Sequence, residues 1–102
     1  MIEGIFGNKT AEKVLLHLYH FGETHAAAVA RDYKTAVTPI KNQLERFEKA
    51  GLLASRTAGR TRLYTWNRKS PFRKPVRKIV KIAYNSMPSG QRKAIFGKKS
   101  KK

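Results

Sequence analysis

One segment of the sequence places polar side chains at spacings of three and four residues, which puts them on a single face of a helix. They are Thr35, Thr38, Asn42, Arg46 and Lys49, and Ile40, Leu44 and Phe47 fall on the opposite face. Asparagine can make two hydrogen bonds to adenine, and lysine can donate to the acceptors of guanine. The pattern predicts a helix over 36–50 that reads base edges, although a merely solvated polar face is the alternative. The candidate contacts are Thr35, Thr38, Pro39, Lys41, Asn42 and Arg46.

Two short runs of β-forming residues follow, over 52–57 and 61–67, with a glycine-containing segment between them. Such runs predict a β-hairpin. An arginine at a hairpin tip can enter a narrow minor groove, where the negative potential of DNA is concentrated. The alternative for these arginines is a charged sheet edge that prevents pairing with other chains. The candidate contacts in the hairpin are Arg56, Arg60, Thr61 and Arg62.

The charge of the chain is unevenly distributed along its length. The formal net charge is +17, yet residues 1–48 hold six Lys/Arg and six Asp/Glu and are neutral overall. Residues 49–102 hold seventeen Lys/Arg and no acidic residue. These positive charges repel one another, and a bound polyanion relieves the repulsion. The charge distribution therefore predicts a nucleic-acid partner. The candidate phosphate contacts outside the helix and the hairpin are Lys9, Thr10 and Lys34.

Further helices must position these residues. Apolar side chains recur at helical spacing in three other segments, which predicts helices over 9–21, 25–32 and 71–86. Asn8 or Thr10 can cap the first of them, and Gly22 suits the left-handed residue that ends it. Thr24 is the expected cap of the second helix, and Ser70, followed by a proline, is that of the last.

The order of these elements is helix, short helix, turn, helix, hairpin, helix. It predicts an α+β fold, a winged helix-turn-helix domain over residues 1–87 with a three-helix core, a two-stranded β-wing and a C-terminal helix. In such a domain the short helix and the turn hold the next helix at a fixed angle for entry into the major groove. Residues 88–102 are basic and offer little apolar surface to bury, so a disordered tail is expected there.

Four stretches of the chain carry a recognisable pattern: residues 6–10 (FGNKT), 38–52 (TPIKNQLERFEKAGL), 59–64 (GRTRLY) and 70–72 (SPF). In this order they resemble the opening segment, the recognition helix, the wing and the start of the final helix in the ArsR-like winged helix-turn-helix regulators of bacteria and archaea. The similarity covers about residues 5 to 87. Its most specific part is Ala-Gly-Leu followed by Gly-Arg-x-x-x-Tyr.

The resemblance implies a transcriptional regulator that binds double-stranded DNA as a homodimer, with two recognition helices facing successive major grooves. It places the first and last helices at the dimer interface. Metal-sensing members use clusters of cysteine, and this chain has none, so sensing through metal-bound thiolates is excluded. The last helix departs from the family in being strongly basic for an interface helix. The candidate interface residues in it are Phe72, Val76, Ile79, Val80 and Ala83.

The remaining residues with reactive side chains do not predict catalysis. His17 and His20 stand three residues apart, which is a metal-ligand spacing, but only Glu23 is near them in sequence. The sequence contains neither a Gly-rich phosphate loop nor a nucleophile-elbow pattern. No apolar run approaches the roughly 20 residues that span a membrane, and the N-terminus has no secretory signal. The expectation is a cytoplasmic protein at the prokaryotic nucleoid, without enzymatic activity, metal or cofactor.

Two further interpretations stay open. The basic half of the chain carries far more charge than a recognition helix needs, so one alternative is an RNA-binding or nucleoid-packing protein without sequence readout. In that case RNA contacts the basic tail. The other alternative is the DNA-targeting subunit of a larger assembly, whose partner is recruited through the first or the last helix.

Overall fold

The structure, a computed structural model, describes residues 3–97. Within that range the chain forms six helices and one antiparallel sheet of three strands, an α+β arrangement compatible with the expected winged helix. None of these helices is both long enough and apolar enough to cross a membrane. In chain order the elements are α1 (Glu3–Phe6), α2 (Lys9–Phe21), β1 (Glu23–Thr24), α3 (Ala26–Tyr33), α4 (Val37–Lys49), β2 (Leu53–Ala58), β3 (Thr61–Trp66), α5 (Arg73–Ser86) and α6 (Ser89–Phe96).

Helix α2 forms where the apolar spacing predicts it. The side chain of Asn8 accepts a hydrogen bond from the backbone N–H of Ala11 at 2.7 Å, so Asn8 rather than Thr10 is its cap. Gly22 ends the helix at φ 81°, and its N–H donates to the carbonyl of Leu18 at 2.7 Å. The buried apolar side of α2 packs against α4 and α5, through Ala11, Val14, Leu15, Leu16 and Leu18.

A tight turn joins α3 to α4. Lys34 adopts a left-handed φ of 55°, which among the described residues no other non-glycine residue shares. The N–H of Thr35 donates to the carbonyl of Ala30 at 2.9 Å, which folds the chain back over the end of α3. Helix α4 begins at Val37, one residue after the predicted start, and Pro39 sits in its first turn, where the missing N–H removes no helical hydrogen bond.

Strand β1 is an element that the sequence pattern did not predict. It pairs with β3 through Glu23 and Thr24, so the strand order is β1-β3-β2. Two residues are too few for an alternating pattern, which explains why the strand was missed. The predicted cap at Thr24 is wrong because its hydroxyl lies 2.7 Å from Nδ1 of His17, and α3 has His25 in the N-cap position instead.

The predicted hairpin is present. Strands β2 and β3 pair antiparallel up to Ala58, which lies opposite Thr61. The two-residue turn has Gly59 first, at φ 63°, as a type II′ turn requires. This geometry places Arg60 at the tip, where its side chain is exposed.

Helix α5 covers the core with the apolar stripe that the sequence assigned to a dimer interface. Val80 and Ala83 are 0 % and 3 % exposed and belong to the same cluster as the buried residues of α2 and α4. The prediction that these two residues lie between subunits is therefore wrong, because contacts within the chain already cover them. Phe72 is 64 % exposed, and Val76 and Ile79 are half-buried.

The segment after α5 is folded over most of its described length. Helix α6 spans Ser89–Phe96, so the expectation of a disordered tail is wrong for these residues. The ring of Phe96 is buried, stacks on His20 at a centroid distance of 4.5 Å and meets Phe21 edge-on at 6.0 Å. Ile95 also packs against the core, and the guanidinium of Arg92 lies 5.2 Å from the ring centroid of Tyr84. Two apolar side chains that are adjacent in sequence create no periodic pattern, so the sequence did not indicate this helix. Residues 98–102 of the expected tail lie outside the described residues.

Candidate nucleic-acid interface

The face of α4 that the sequence marks as polar is free of contacts that would bury it. Ile40 and Leu44 are buried and hold the opposite side of the helix against the core. Thr35 lies in the preceding turn and is exposed as well. The first half of α4 therefore presents Thr38, Pro39, Lys41 and Asn42 outward, and Glu45 and Arg46 are exposed in its second half.

The start of α2 lies beside α4. The side-chain amide of Asn8 donates to the side-chain Oε1 of Gln43, a residue of α4, at 3.5 Å. This contact brings two of the phosphate candidates, the exposed Lys9 and the half-buried Thr10, to the flank of α4. The third candidate, Lys34, is exposed at the end of α3, next to the turn that leads into α4. The three candidates thus surround the N-terminal half of one helix.

A buried polar network centred on His17 connects α2, α3 and β1. Its Nε2 lies 2.7 Å from a carboxylate oxygen of Asp32, and its Nδ1 lies 2.7 Å from the hydroxyl of Thr24. Because a carboxylate only accepts, the ring donates from Nε2. The residue considered as a metal ligand is therefore a structural link, and no group of three His, Cys, Asp or Glu within residues 3–97 is placed to hold a metal ion. The sequence offered no signal for a pair of residues 15 positions apart.

The three hairpin arginines differ in their surroundings. Arg56 donates to the carboxylate of Glu23 at 3.0 Å, across the sheet. Arg62 lies 3.7 Å from Glu48 and donates to the hydroxyl of Ser55 at 3.0 Å. Arg60 has no ion pair with any residue in the described part of the chain. Its full positive charge therefore stands at the hairpin tip, whereas the other two charges are partly compensated.

Helix α4 and the hairpin share one cavity of about 260 Å³. From α4 it is lined by Lys41 and Glu45, and from the hairpin by Arg60, Thr61 and Arg62. The two predicted groups of contacts, about 20 residues apart in sequence, are thus brought to the same side of the molecule. Glu45 adds one carboxylate to the lining of this cavity.

Tyr64 lies in the wall of the same cavity with its ring buried. Burial raises its pKa above the usual value of 10.0, and the nearby carboxylate of Glu48 raises the pKa further, whereas Arg62 opposes both effects. The phenol is therefore neutral at physiological pH and adds no negative charge to the cavity. Tyr64 belongs to the buried core cluster, so it packs the hairpin against the helices.

The exposed part of α5 offers fewer apolar residues than the sequence indicated. Of the five interface candidates, Phe72 is exposed to solvent and Val76 and Ile79 are half-buried. Val80 and Ala83 are in the core. Ile82 is 62 % exposed and was not predicted. By the helical period, Ile82 shares one edge of α5 with Phe72 and Ile79.

A scan against protein-family models and a search of curated protein sequences find no match to this chain. The resemblance to ArsR-like regulators is therefore carried by residues 6–10, 38–52, 59–64 and 70–72 alone.

Proposed function

We propose that this chain is a winged helix-turn-helix transcriptional regulator that binds double-stranded DNA in a sequence-specific manner. The observation that carries the proposal is the cavity that α4 and the hairpin tip share, lined by Lys41 on one side and by Arg60 on the other. A helix with an exposed polar N-terminal half beside a basic hairpin can contact adjacent grooves of one duplex. The expected place of action is the prokaryotic nucleoid, in the cytoplasm.

Helix α4 enters the major groove by its N-terminal half. Thr38, Lys41 and Asn42 are exposed there, and the partial positive charge of the helix N-terminus favours nearby phosphates. Asn42 is the residue that we assign to base reading, because its amide can both donate to and accept from adenine. Glu48 is near the other end of the helix, and its charge is partly balanced by Arg62 at 3.7 Å.

The hairpin contributes Arg60 to the adjacent minor groove. An exposed guanidinium without an internal carboxylate partner loses no ion pair when it leaves water for DNA. The narrow minor groove of A·T-rich DNA concentrates negative potential and attracts arginine. Arg56 and Arg62, whose carboxylate partners compete with phosphate, have secondary roles in this proposal.

A homodimer completes the proposal. The second copy docks on the apolar edge of α5 formed by Phe72, Ile79 and Ile82, since two of these side chains are more than 60 % exposed. A two-fold dimer reads two half-sites about one helical turn apart. Light scattering of the protein at micromolar concentration is expected to give twice the chain mass of 11.6 kDa without DNA, and a protein mass of two chains per duplex once the mass of bound DNA is subtracted. A mass of one chain under both conditions contradicts this part of the proposal.

Selection of bound duplexes from a random pool, at two salt concentrations, tests the function. Sequence-specific binding yields one recurring motif at both concentrations. Sequence-blind binding to DNA or RNA yields no motif and an affinity that falls steeply with salt, because released counterions dominate it. A motif that appears only when a cell extract supplies a second protein would favour the DNA-targeting subunit of a larger assembly.

A further inference from the structure

A second cationic surface lies away from the cavity that α4 and the hairpin share. A cleft of about 310 Å³ opens between the end of α2, the end of β3 and the start of α5. Three guanidinium groups line it, those of Arg68, Arg73 and Arg77, and none of its lining residues is acidic. Glu23, on the strand next to β3, is paired with Arg56. We name this region the α5 cleft.

Two of these arginines are held in unusual surroundings. The Nε of Arg73 is buried and has no hydrogen-bond partner within residues 3–97. Such an orphaned donor is costly, and a bound anion would satisfy it. Arg77 lies over two rings, with its guanidinium 5.7 Å from the centroid of Tyr19 and 6.0 Å from that of Trp66. Stacking of this kind fixes the guanidinium in advance, which reduces the entropy lost when it binds a phosphate.

The α5 cleft continues into a row of lysines. Arg77 and Tyr19 also line a second hollow of about 270 Å³, whose other residues are Lys74, Lys78 and Lys81. All three lysines are exposed, and they follow one another along α5 at helical spacing. At 1.5 Å per residue the row extends over about 10 Å. Together, the α5 cleft and the lysine row present six cations.

We propose that the α5 cleft and the lysine row bind the sugar–phosphate backbone of a second DNA duplex, so that one molecule connects two duplexes. A backbone ligand fits better than stacked bases because Arg77 already covers the rings of Tyr19 and Trp66. Cations without directional polar partners contact phosphates and carry no sequence information. This inference goes beyond the proposed function, since it concerns different residues and a different DNA segment.

The two surfaces occupy different places on the molecule. From β3, the cavity of α4 and the hairpin is lined by Thr61, Arg62 and Tyr64, toward the hairpin tip, whereas the α5 cleft is lined by Thr65 and Trp66, at the other end of the strand. The cavity shares no lining residue with the α5 cleft or with the hollow of the lysine row. A duplex bound at the cavity therefore leaves the residues of the α5 cleft for a second duplex.

A capture assay tests the inference with the full-length protein. One random-sequence duplex is attached to beads, and the amount of a second, fluorescent random-sequence duplex retained by the protein is measured. The variant Lys74→Gln/Lys78→Gln/Lys81→Gln removes three exposed cations without touching the core. Each lost phosphate contact lowers the slope of log K against log salt by about 0.9, so capture is expected to fall at least about tenfold at physiological salt.

The matched control removes three exposed cations that lie outside both proposed surfaces, in the variant Arg31→Gln/Lys69→Gln/Lys93→Gln, and is expected to retain capture. Arg73→Gln is expected to lower capture without lowering the melting temperature, because among residues 3–97 the Nε of Arg73 has no hydrogen-bond partner to lose. A lower melting temperature with full capture would make Arg73 a structural residue and would overturn its assignment.

Three results would each overturn the inference. The first is that the wild-type protein captures no second duplex, and the second is that the lysine variant captures as much as its control. The third is that the substitutions of the lysine variant lower the affinity for a single duplex by the same factor as they lower capture. The last result would place the lysines on the duplex that α4 contacts. If the wild-type protein captures a second duplex but binds all DNA sequences equally well, the proposed function is contradicted and this inference is not.

Discussion

Phe96 provides a strong test of how the C-terminal part of the chain is built. Its side chain is 1 % exposed and has five aromatic neighbours within 6.2 Å between ring centroids. Truncation of a buried phenylalanine to alanine costs about 3–5 kcal/mol, because apolar transfer energy is lost and a cavity is left. We expect Phe96→Ala to lower the free energy of unfolding by that amount, a large share of the roughly 5–15 kcal/mol that stabilises a domain.

Thermal and urea unfolding, followed by circular dichroism, measure the effect. For a domain of this size each 1 kcal/mol corresponds to about 4–8 °C, so the melting temperature is expected to fall by at least about 12 °C. Gln91→Ala, an exposed position of the same helix, is the matched control and is expected to change stability by less than about 0.5 kcal/mol. Equal melting temperatures for both variants would refute the docking of α6, and residues after Met87 would then be dispensable for stability.

Two further predictions concern single side chains. Arg60→Ala is expected to weaken DNA binding by about 1–2 kcal/mol on sites with A·T-rich flanks and by less on G·C-rich flanks, whereas the ion-paired Arg56→Ala shows no such dependence in fluorescence anisotropy. Burial raises the pKa of Tyr33, so the folded chain keeps the phenol neutral while the unfolded chain ionises it above the usual value of 10.0. Stability should therefore fall as pH rises past that value, by up to about 1.4 kcal/mol per pH unit, and Tyr33→Phe should fall less steeply in urea titrations; parallel curves would contradict this.

Elements with local signals were predictable from the sequence. Helix α2 was bounded by a capping asparagine and a left-handed glycine, and its observed range, Lys9–Phe21, is the predicted one. Helix α4 and the hairpin were predicted for similar reasons, since apolar period and turn residues are encoded within a few positions of each other. The exposed polar face of α4 follows directly from the same period.

Features that depend on distant residues were not predictable. The pairing of β1 with β3 joins residues about 40 positions apart, and the stacking of Phe96 on His20 joins residues 76 positions apart. The ion pairs of Arg56 and Arg62 join residues 33 and 14 positions apart, so the sequence could not distinguish these arginines from Arg60, which has no ion pair within residues 3–97. The apolar spacing of Val80 and Ala83 correctly indicated that these side chains are buried. The spacing alone does not distinguish burial in the core of the same chain from burial against a second chain.

The central claim is that α4 reads bases, and Asn42→Ala tests it most directly. Affinity for a duplex recovered by selection and for a random duplex is measured for the wild type, for Asn42→Ala and for Asn85→Ala, an exposed asparagine on α5 that serves as control. We predict that Asn42→Ala loses about 1–3 kcal/mol on the selected duplex and little on the random one, while the control binds both like the wild type. Equal losses of Asn42→Ala on the two duplexes would contradict base reading by α4.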